Sequence, residues 1–289
     1  MNSPIGTELN AAERQPPSTT SAPNAGTVQR ISRVFVVTLQ TSMRQTFAQR
    51  GGLVVAGGFY LLVTSVLAGI WRIAAHSHND NIVGYSAVAI TWYIAMSEGV
   101  TIPLNIRMIS DVGTDIASGG IAIELLRPVS VVGVRIATEI GRSMPKLLLC
   151  LTLGGGLALV TGGVPEHPWA LVFAVPSAVL AISCNVIAQH AFAASAFWLR
   201  DAGSAWFLYQ KLVFILGGML IPLQAMPSWL QGVTRVLPFR AMAYAPARLA
   251  SGHLEPMLLV EQVGWCALLL AIATSVFARG ERKLQVMGG

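Results

Sequence analysis

Residues 51–73 read GGLVVAGGFYLLVTSVLAGIWRI, and from Gly51 to Trp71 no side chain is charged. Crossing a bilayer core about 30 Å thick takes roughly 20 helical residues, with every backbone polar group satisfied inside the segment. This run meets both conditions and reads as a membrane-spanning helix. Working outward, further long apolar runs begin near Ile82, Pro128, Trp169, Ala202 and Met257, and end near Ile106, Thr161, Leu199, Leu223 and Ala278. The expected fold is therefore all-α, a polytopic membrane protein of six transmembrane helices.

Composition excludes the main alternative. The chain has 289 residues, 54% hydrophobic and only 11% charged, with a mean hydropathy of +0.62. A soluble domain carries about 25% charged residues, so too little polar surface is present for a water-soluble fold of this size. The net charge of +6 does not point to nucleic acid. Most Lys and Arg flank apolar runs instead of forming one basic face with interleaved aromatics. Cys150, Cys184 and Cys266 lie inside apolar runs without CxxC spacing and read as small buried thiols.

Residues 1–26 are rich in Ser, Thr, Pro, Asn and Ala with no apolar core, which predicts a disordered cytoplasmic tail. Over 27–50, Val28, Ile31, Phe35, Leu39, Met43 and Phe47 recur in steps of three and four, with Arg30, Arg33, Arg44 and Arg50 between them. That pattern predicts an amphipathic helix in the cytoplasmic interface. A helix packed on a partner protein fits the same spacing. The six-helix domain then covers 51–279, and 280–289 form a basic cytoplasmic tail. With the N-terminus inside, all of the 19 Lys and Arg except Arg72, Arg235, Arg240 and Arg248 fall on inner segments. The positive-inside rule then places both termini in the cytoplasm.

Two stretches carry more than topology. Between the second and third spans lies Asp115-Ile116-Ala117-Ser118-Gly119-Gly120-Ile121-Ala122-Ile123-Glu124-Leu125-Leu126-Arg127-Pro128-Val129-Ser130. Gly119-Gly120 permits a sharp turn, and Pro128 suits the first turn of the next helix. Ile121 to Leu126 make a short element that is apolar yet outside the membrane. Rimmed by Glu124 and Arg127, it reads as a docking surface for another protein. An ordinary interfacial turn packed on neighbouring helices fits equally well. The second stretch is Gly217-Gly218-Met219-Leu220-Ile221-Pro222-Leu223, followed by Met226-Pro227-Ser228-Trp229-Leu230 and Leu237-Pro238-Phe239. Its three prolines forbid one continuous helix. A broken, partly re-entrant segment is expected, which is tolerated only against protein or a watery cavity.

The first stretch resembles the coupling-helix region of type-2 ABC transporter permeases, and its Leu-Leu-Arg-Pro-Val form is similar to one subgroup of that family. The second resembles the family's external re-entrant element between helices five and six, with Arg248 and Gly252 matching its basic residue and closing Gly. The resemblance implies the membrane-spanning permease subunit of an exporter in the inner (cytoplasmic) membrane. ATP and magnesium would be bound by separate ATP-binding cassette ATPase subunits, with no cofactor in this chain. A second permease, identical or homologous, would complete the unit within the lipid. Ile121, Glu124, Leu125, Leu126 and Arg127 would couple to the ATPase, the two leucines filling its groove and the two charges fixing orientation. The residues are consistent with that division of labour: no GxxxxGK[ST] loop is present to cradle nucleotide phosphates.

Four polar residues inside apolar runs are possible parts of a substrate path: Glu98 in span two, and Asn185, Gln189 and His190 in span four. Interhelical hydrogen bonding accounts for the last three equally well. His76, His78 and Asp80 are metal-ligand types, but their short loop lacks a fourth fixed ligand. Two other function classes stay open. A lipid-modifying enzyme would have to use Glu98, Asn105 and Asp111. An ion-driven transporter would favour paired broken helices, and only one broken region is present.

Overall fold

The computed structural model describes residues 25–76, 81–82, 84–125, 129–198, 202–219 and 221–287. The expected tail therefore lies almost wholly outside the described residues, as do most of the His76–Asp80 loop and Leu126, Arg127 and Pro128. The first half of the chain forms helices α1 (Ala25–Ala48), α2 (Arg50–His76), α3 (Ala87–Thr101), α4 (Met108–Ala117), α5 (Ile121–Leu125) and α6 (Val131–Thr161). The second half forms α7 (Ala170–Ala193), α8 (Ala202–Leu216), α9 (Ser228–Val236), α10 (Ala245–Ala250) and α11 (Met257–Met287). A two-residue antiparallel ladder, β1 (Asn81–Ile82) with β2 (Tyr85–Ser86), is the only strand pairing among the described residues. The chain is an all-α polytopic membrane protein.

Four helices, α2, α6, α7 and α11, are long and apolar enough to cross a membrane. The other two expected spans are shorter than the sequence suggests, because local backbone chemistry stops them. Ile82 pairs with Tyr85 in the β1–β2 ladder instead of opening span two, and the Ser86 hydroxyl caps α3 by accepting from the Ala89 N–H at 3.2 Å. Beyond Thr101, Pro103 cannot donate to a helical ladder. Span five ends at Leu216, not Leu223, because Gly218 adopts φ +70°, a left-handed conformation open to glycine at little cost. Each of α3 and α8 has 15 residues. At 1.5 Å per residue such a helix covers about 22 Å, short of a hydrocarbon core of about 30 Å. Conversely, α11 runs on through the basic residues assigned to a tail. The third span begins at Val131, with the Ser130 hydroxyl accepting from the Gly133 N–H at 3.2 Å, three residues later than a Pro128 start.

The short α3 is the centre of the molecule. Every residue from Ala89 to Val100 is buried, as expected for a helix apolar all round, and α2, α6, α7 and α10 pack against it. Tyr60 of α2 donates to the Ala95 carbonyl at 2.8 Å. It passes over Gly154 of α6, where a Cβ would collide with its hydroxyl.

The N-terminal helix α1 lies along α6. Its inner face is Phe35, Leu39, Ser42, Met43 and Thr46, while Ile31 and Phe47 from the expected apolar face stay exposed. The reason is close approach. A Cβ on Gly141 would sit 2.5 Å from the Leu39 carbonyl oxygen and 2.9 Å from the Ser42 Cβ. Ser42 and Thr46 are therefore the buried residues of α1, flanked by partly buried Phe35, Leu39 and Met43.

Candidate functional site

The corner joining α4, α5 and α6 is fixed by one arginine. Arg135 of α6 donates from Nη2 to Asp115 at 2.7 Å and from Nε to Glu124 at 2.8 Å. It thus ties the end of α4 and the middle of α5 to the same guanidinium. The turn between these helices uses Gly119 at φ +76°, followed by short i→i+3 bonds from Ala122 to Gly119 and Ile123 to Gly120. A helix of five residues has little intrinsic stability, so its orientation rests on this ion-pair fork and on Ile121. That residue is 0% exposed, whereas Ile123 is 69% exposed. Ile121 is therefore a buried anchor and not part of an exposed knob, which is a correction to the expected surface. Glu124 is engaged within the chain, not standing free on a rim. Leu125 ends α5, and Leu126 and Arg127 lie outside the described residues.

The broken segment between α8 and α11 is stitched together by aromatic and amide groups. The Tyr93 hydroxyl donates to the Gly218 carbonyl at 2.6 Å. Tyr85 and Tyr93 meet edge-on at 5.4 Å between ring centroids, and Tyr93 and Tyr244 at 6.4 Å. Gln224 bridges Tyr85 and Tyr244 by accepting from one hydroxyl and donating to the other. Arg248 lies 5.1 Å over the Tyr85 ring and bonds Glu255 at 3.0 Å. Gly252 closes the segment at φ +93°. Burial, and then the neighbouring Arg248 charge, hold the His253 imidazole below its ordinary range.

Within this segment, residues Arg240–Tyr244 form a π turn leading into α10. The cause is visible in the sequence. Pro246 has no N–H, so the carbonyls four and five residues earlier, Met242 and Ala241, lose their ladder donor. Two amides replace it. Asn185 of α7 donates to the Met242 carbonyl at 3.3 Å, and Gln262 of α11 donates to Ala241 at 2.8 Å. Gln262 also donates to the Ser177 carbonyl at 3.0 Å and accepts from its hydroxyl at 2.8 Å. Gln262 was not among the expected site residues, although an amide inside an apolar run is a signal. Its replacement by Leu should destabilise the protein by about 1–3 kcal/mol, since three buried polar groups lose their partner. Chemical denaturation in detergent measures this, and a change well under 1 kcal/mol would show that the clamp is dispensable.

The four intramembrane polar residues do not converge on one point. Glu98 lies buried on the wall of a lateral groove of about 920 Å³ between α2, α3 and α8. Asn185 and Gln189 line an adjoining cavity of about 100 Å³. Its walls share Thr101, Leu104, Phe214 and Met219 with the groove, so these side chains stand between the two. Asn185 is fully engaged, also accepting from the Tyr209 hydroxyl at 2.8 Å. His190 instead faces a separate cleft beside Arg135. Asn105 and Asp111 line that cleft too, away from Glu98, so the set a lipid-modifying enzyme would need is divided between two cavities. Among the described residues, no group of three or more His, Cys, Asp or Glu side chains could hold a metal ion. Cys184 and Cys266 bring their sulfurs within 2.7 Å of each other across α7 and α11, a pairing that their sequence spacing hides.

Residues 61–288 match the family model described as ABC-2 family transporter protein. No curated protein matches the chain.

Proposed function

The chain belongs to the ABC-2 transporter family, and from that premise we propose that it is the permease subunit of an ATP-binding cassette exporter in the cytoplasmic membrane. Six membrane-embedded helices, α2, α3, α6, α7, α8 and α11, form the permease, with both termini in the cytoplasm. ATP and magnesium are bound by a separate ATPase, which docks on α5 and the residues that follow it. Closure of the ATPase pair pushes on α5, and the Arg135 fork passes that displacement to α4 and α6. Two states of the bundle that nucleotide and substrate both bias are then sufficient for transport.

The observation that carries this reading is the fixed attachment of α5. A five-residue helix held by Glu124–Arg135 and by buried Ile121 transmits a push, where a free loop would absorb it. A second permease would close the lateral groove against the exposed apolar face of α2, which includes Val55, Phe59, Leu62 and Val66. Glu98, Asn185 and Gln189 would then line the substrate path.

The test uses sealed vesicles bearing the tagged chain and the ATPase that copurifies with it. The ATPase should bind inside-out vesicles only. The double change Leu125→Asp with Leu126→Asp should lower its affinity by two or more decades, because burying each Leu is worth about 1.5–3 kcal/mol. Binding to right-side-out vesicles would overturn the orientation. Wild-type affinity in a normally inserted double variant would overturn the docking site.

A further inference from the structure

Cys184 of α7 and Cys266 of α11 are 82 residues apart in sequence, yet their sulfurs approach to 2.7 Å. Each thiol also reaches the backbone of the opposite helix. The Cys184 sulfur lies 3.4 Å from the Gln262 carbonyl oxygen, and the Cys266 sulfur 3.7 Å from that of Leu180. Both carbonyls belong to the residue one helical turn before the facing cysteine, so the two side chains cross between the helices. Gln262 is itself fixed to Ser177 by two hydrogen bonds, which hold this stretch of α7 and α11 in register. A sulfur–sulfur bond is about 2.05 Å long, so the pair needs to close by less than about 1 Å to form one.

The surroundings decide which oxidants can reach the pair. Cys184 is buried, whereas Cys266 is partly exposed. It lies in a helix long and apolar enough to cross a membrane, among the exposed apolar side chains of Val263, Leu268 and Leu270. The open side of Cys266 therefore meets hydrocarbon. Glutathione is charged and water-soluble, and charged groups are costly in the bilayer core. The reductants that keep cytosolic thiols reduced thus have no ready path to this one. Cys150, the third cysteine, is 0% exposed on α6 and is not part of the pair.

We propose that Cys184 and Cys266 are a redox-active pair that a lipid-soluble quinone oxidises to a disulfide between α7 and α11. Both S–H bonds break and one S–S bond forms. The two thiols lose two electrons and two protons, and the quinone takes up both and leaves as the quinol. The bond fastens α7 to α11 one turn from Gln262, so the amide support of the π turn is held covalently in the oxidised chain. The pair does not depend on transport, and its chemistry stands whether or not α5 docks an ATPase.

The experiment uses the full-length protein in lipid nanodiscs under argon, treated with excess duroquinone, whose four ring methyls disfavour thiol addition. The protein is then unfolded in denaturant and alkylated with N-ethylmaleimide, and the intact mass counts the adducts. The wild type should fall from three adducts to one. Its mass before alkylation should drop by two hydrogens with no oxygen added, which separates a disulfide from sulfenic or sulfinic acids. Dithiothreitol after unfolding should restore all three adducts. Cys150→Ala should pass from two adducts to none, and Cys266→Ala should keep two. Should Cys266→Ala fail to fold, Cys184→Ala carries the same expectation. Ferricyanide, an oxidant confined to water, should leave the wild type at three adducts. Three adducts after duroquinone would overturn the proposal. So would loss of thiols in Cys266→Ala, or equal oxidation by ferricyanide.

Discussion

Replacing Arg135 by methionine is expected to reduce stimulation of the partner ATPase by about tenfold or more, while membrane insertion and thermal stability stay near wild type. The separation of the two effects follows from exposure. Asp115 and Glu124 are 50% and 36% exposed at their side chains, so freeing them lets water solvate them, and partly exposed ion pairs contribute only about 0–1 kcal/mol. Positioning is another matter. Without the fork, α5 keeps two short backbone bonds and Ile121, and its angle to α4 and α6 is no longer set. Displacements of about 1 Å can cost a hundredfold where geometry governs a rate. Arg135→Lys should recover only part of the loss, because one ammonium cannot hold both carboxylates with the planar geometry of a guanidinium. The measurement is ATP hydrolysis by the reconstituted pair. Full stimulation by Arg135→Met would mean that α5 is held by something else.

Gly141→Leu should detach α1 from the bundle. The backbones of α1 and α6 touch at this point, with room for no side chain beyond hydrogen. Even alanine would place its Cβ inside the contact distance of the Leu39 carbonyl. Overpacking costs about 1–3 kcal/mol where a core can adjust. Two helix backbones cannot adjust without separating along their length. Since α1 reaches the rest of the molecule mainly through α6, its release leaves α2, α6, α7 and α11 in place. Limited trypsin digestion reads the outcome. Cleavage after Arg33 and Arg44 should become rapid in Gly141→Leu and intermediate in Gly141→Ala, with the membrane-embedded fragment intact. Unchanged protection in Gly141→Leu would show that the contact tolerates a side chain.

The long spans were legible because hydrocarbon leaves a sequence few choices. A run such as Gly51–Trp71 can only be a helix, and its length reports its destination. The ends of the shorter helices were not legible, because they depend on single backbone conformations. Gly218 at φ +70° ends α8 ahead of the apolar run, and the β1–β2 ladder takes residues that read as part of span two. In the link at 115–130, the face of α5 that turns inward differs from the exposed apolar surface expected, with Ile121 buried. Which face of a five-residue helix turns inward is set by the Gly119 turn and by an arginine twenty residues from Asp115, and periodicity does not carry that far. Asn185 was identified as polar in an apolar run, whereas its role as a donor to the π turn depended on Pro246 and on Gln262, two spans away. His190 was placed with its sequence neighbours, yet one step along α7 turns a side chain by about 100°, enough to face a different cavity.

The amide clamp on the π turn also constrains the order in which the protein can be made. Ala241 leaves the ribosome before Gln262, which satisfies its carbonyl at 2.8 Å, and the helix carrying Gln262 is the last to be synthesised. Until α11 inserts, the segment between α8 and α11 holds an acceptor that Pro246 cannot serve from within the chain. Asn185, already in place on α7, reaches only Met242. That segment therefore matures late, when α11 packs in beside α7.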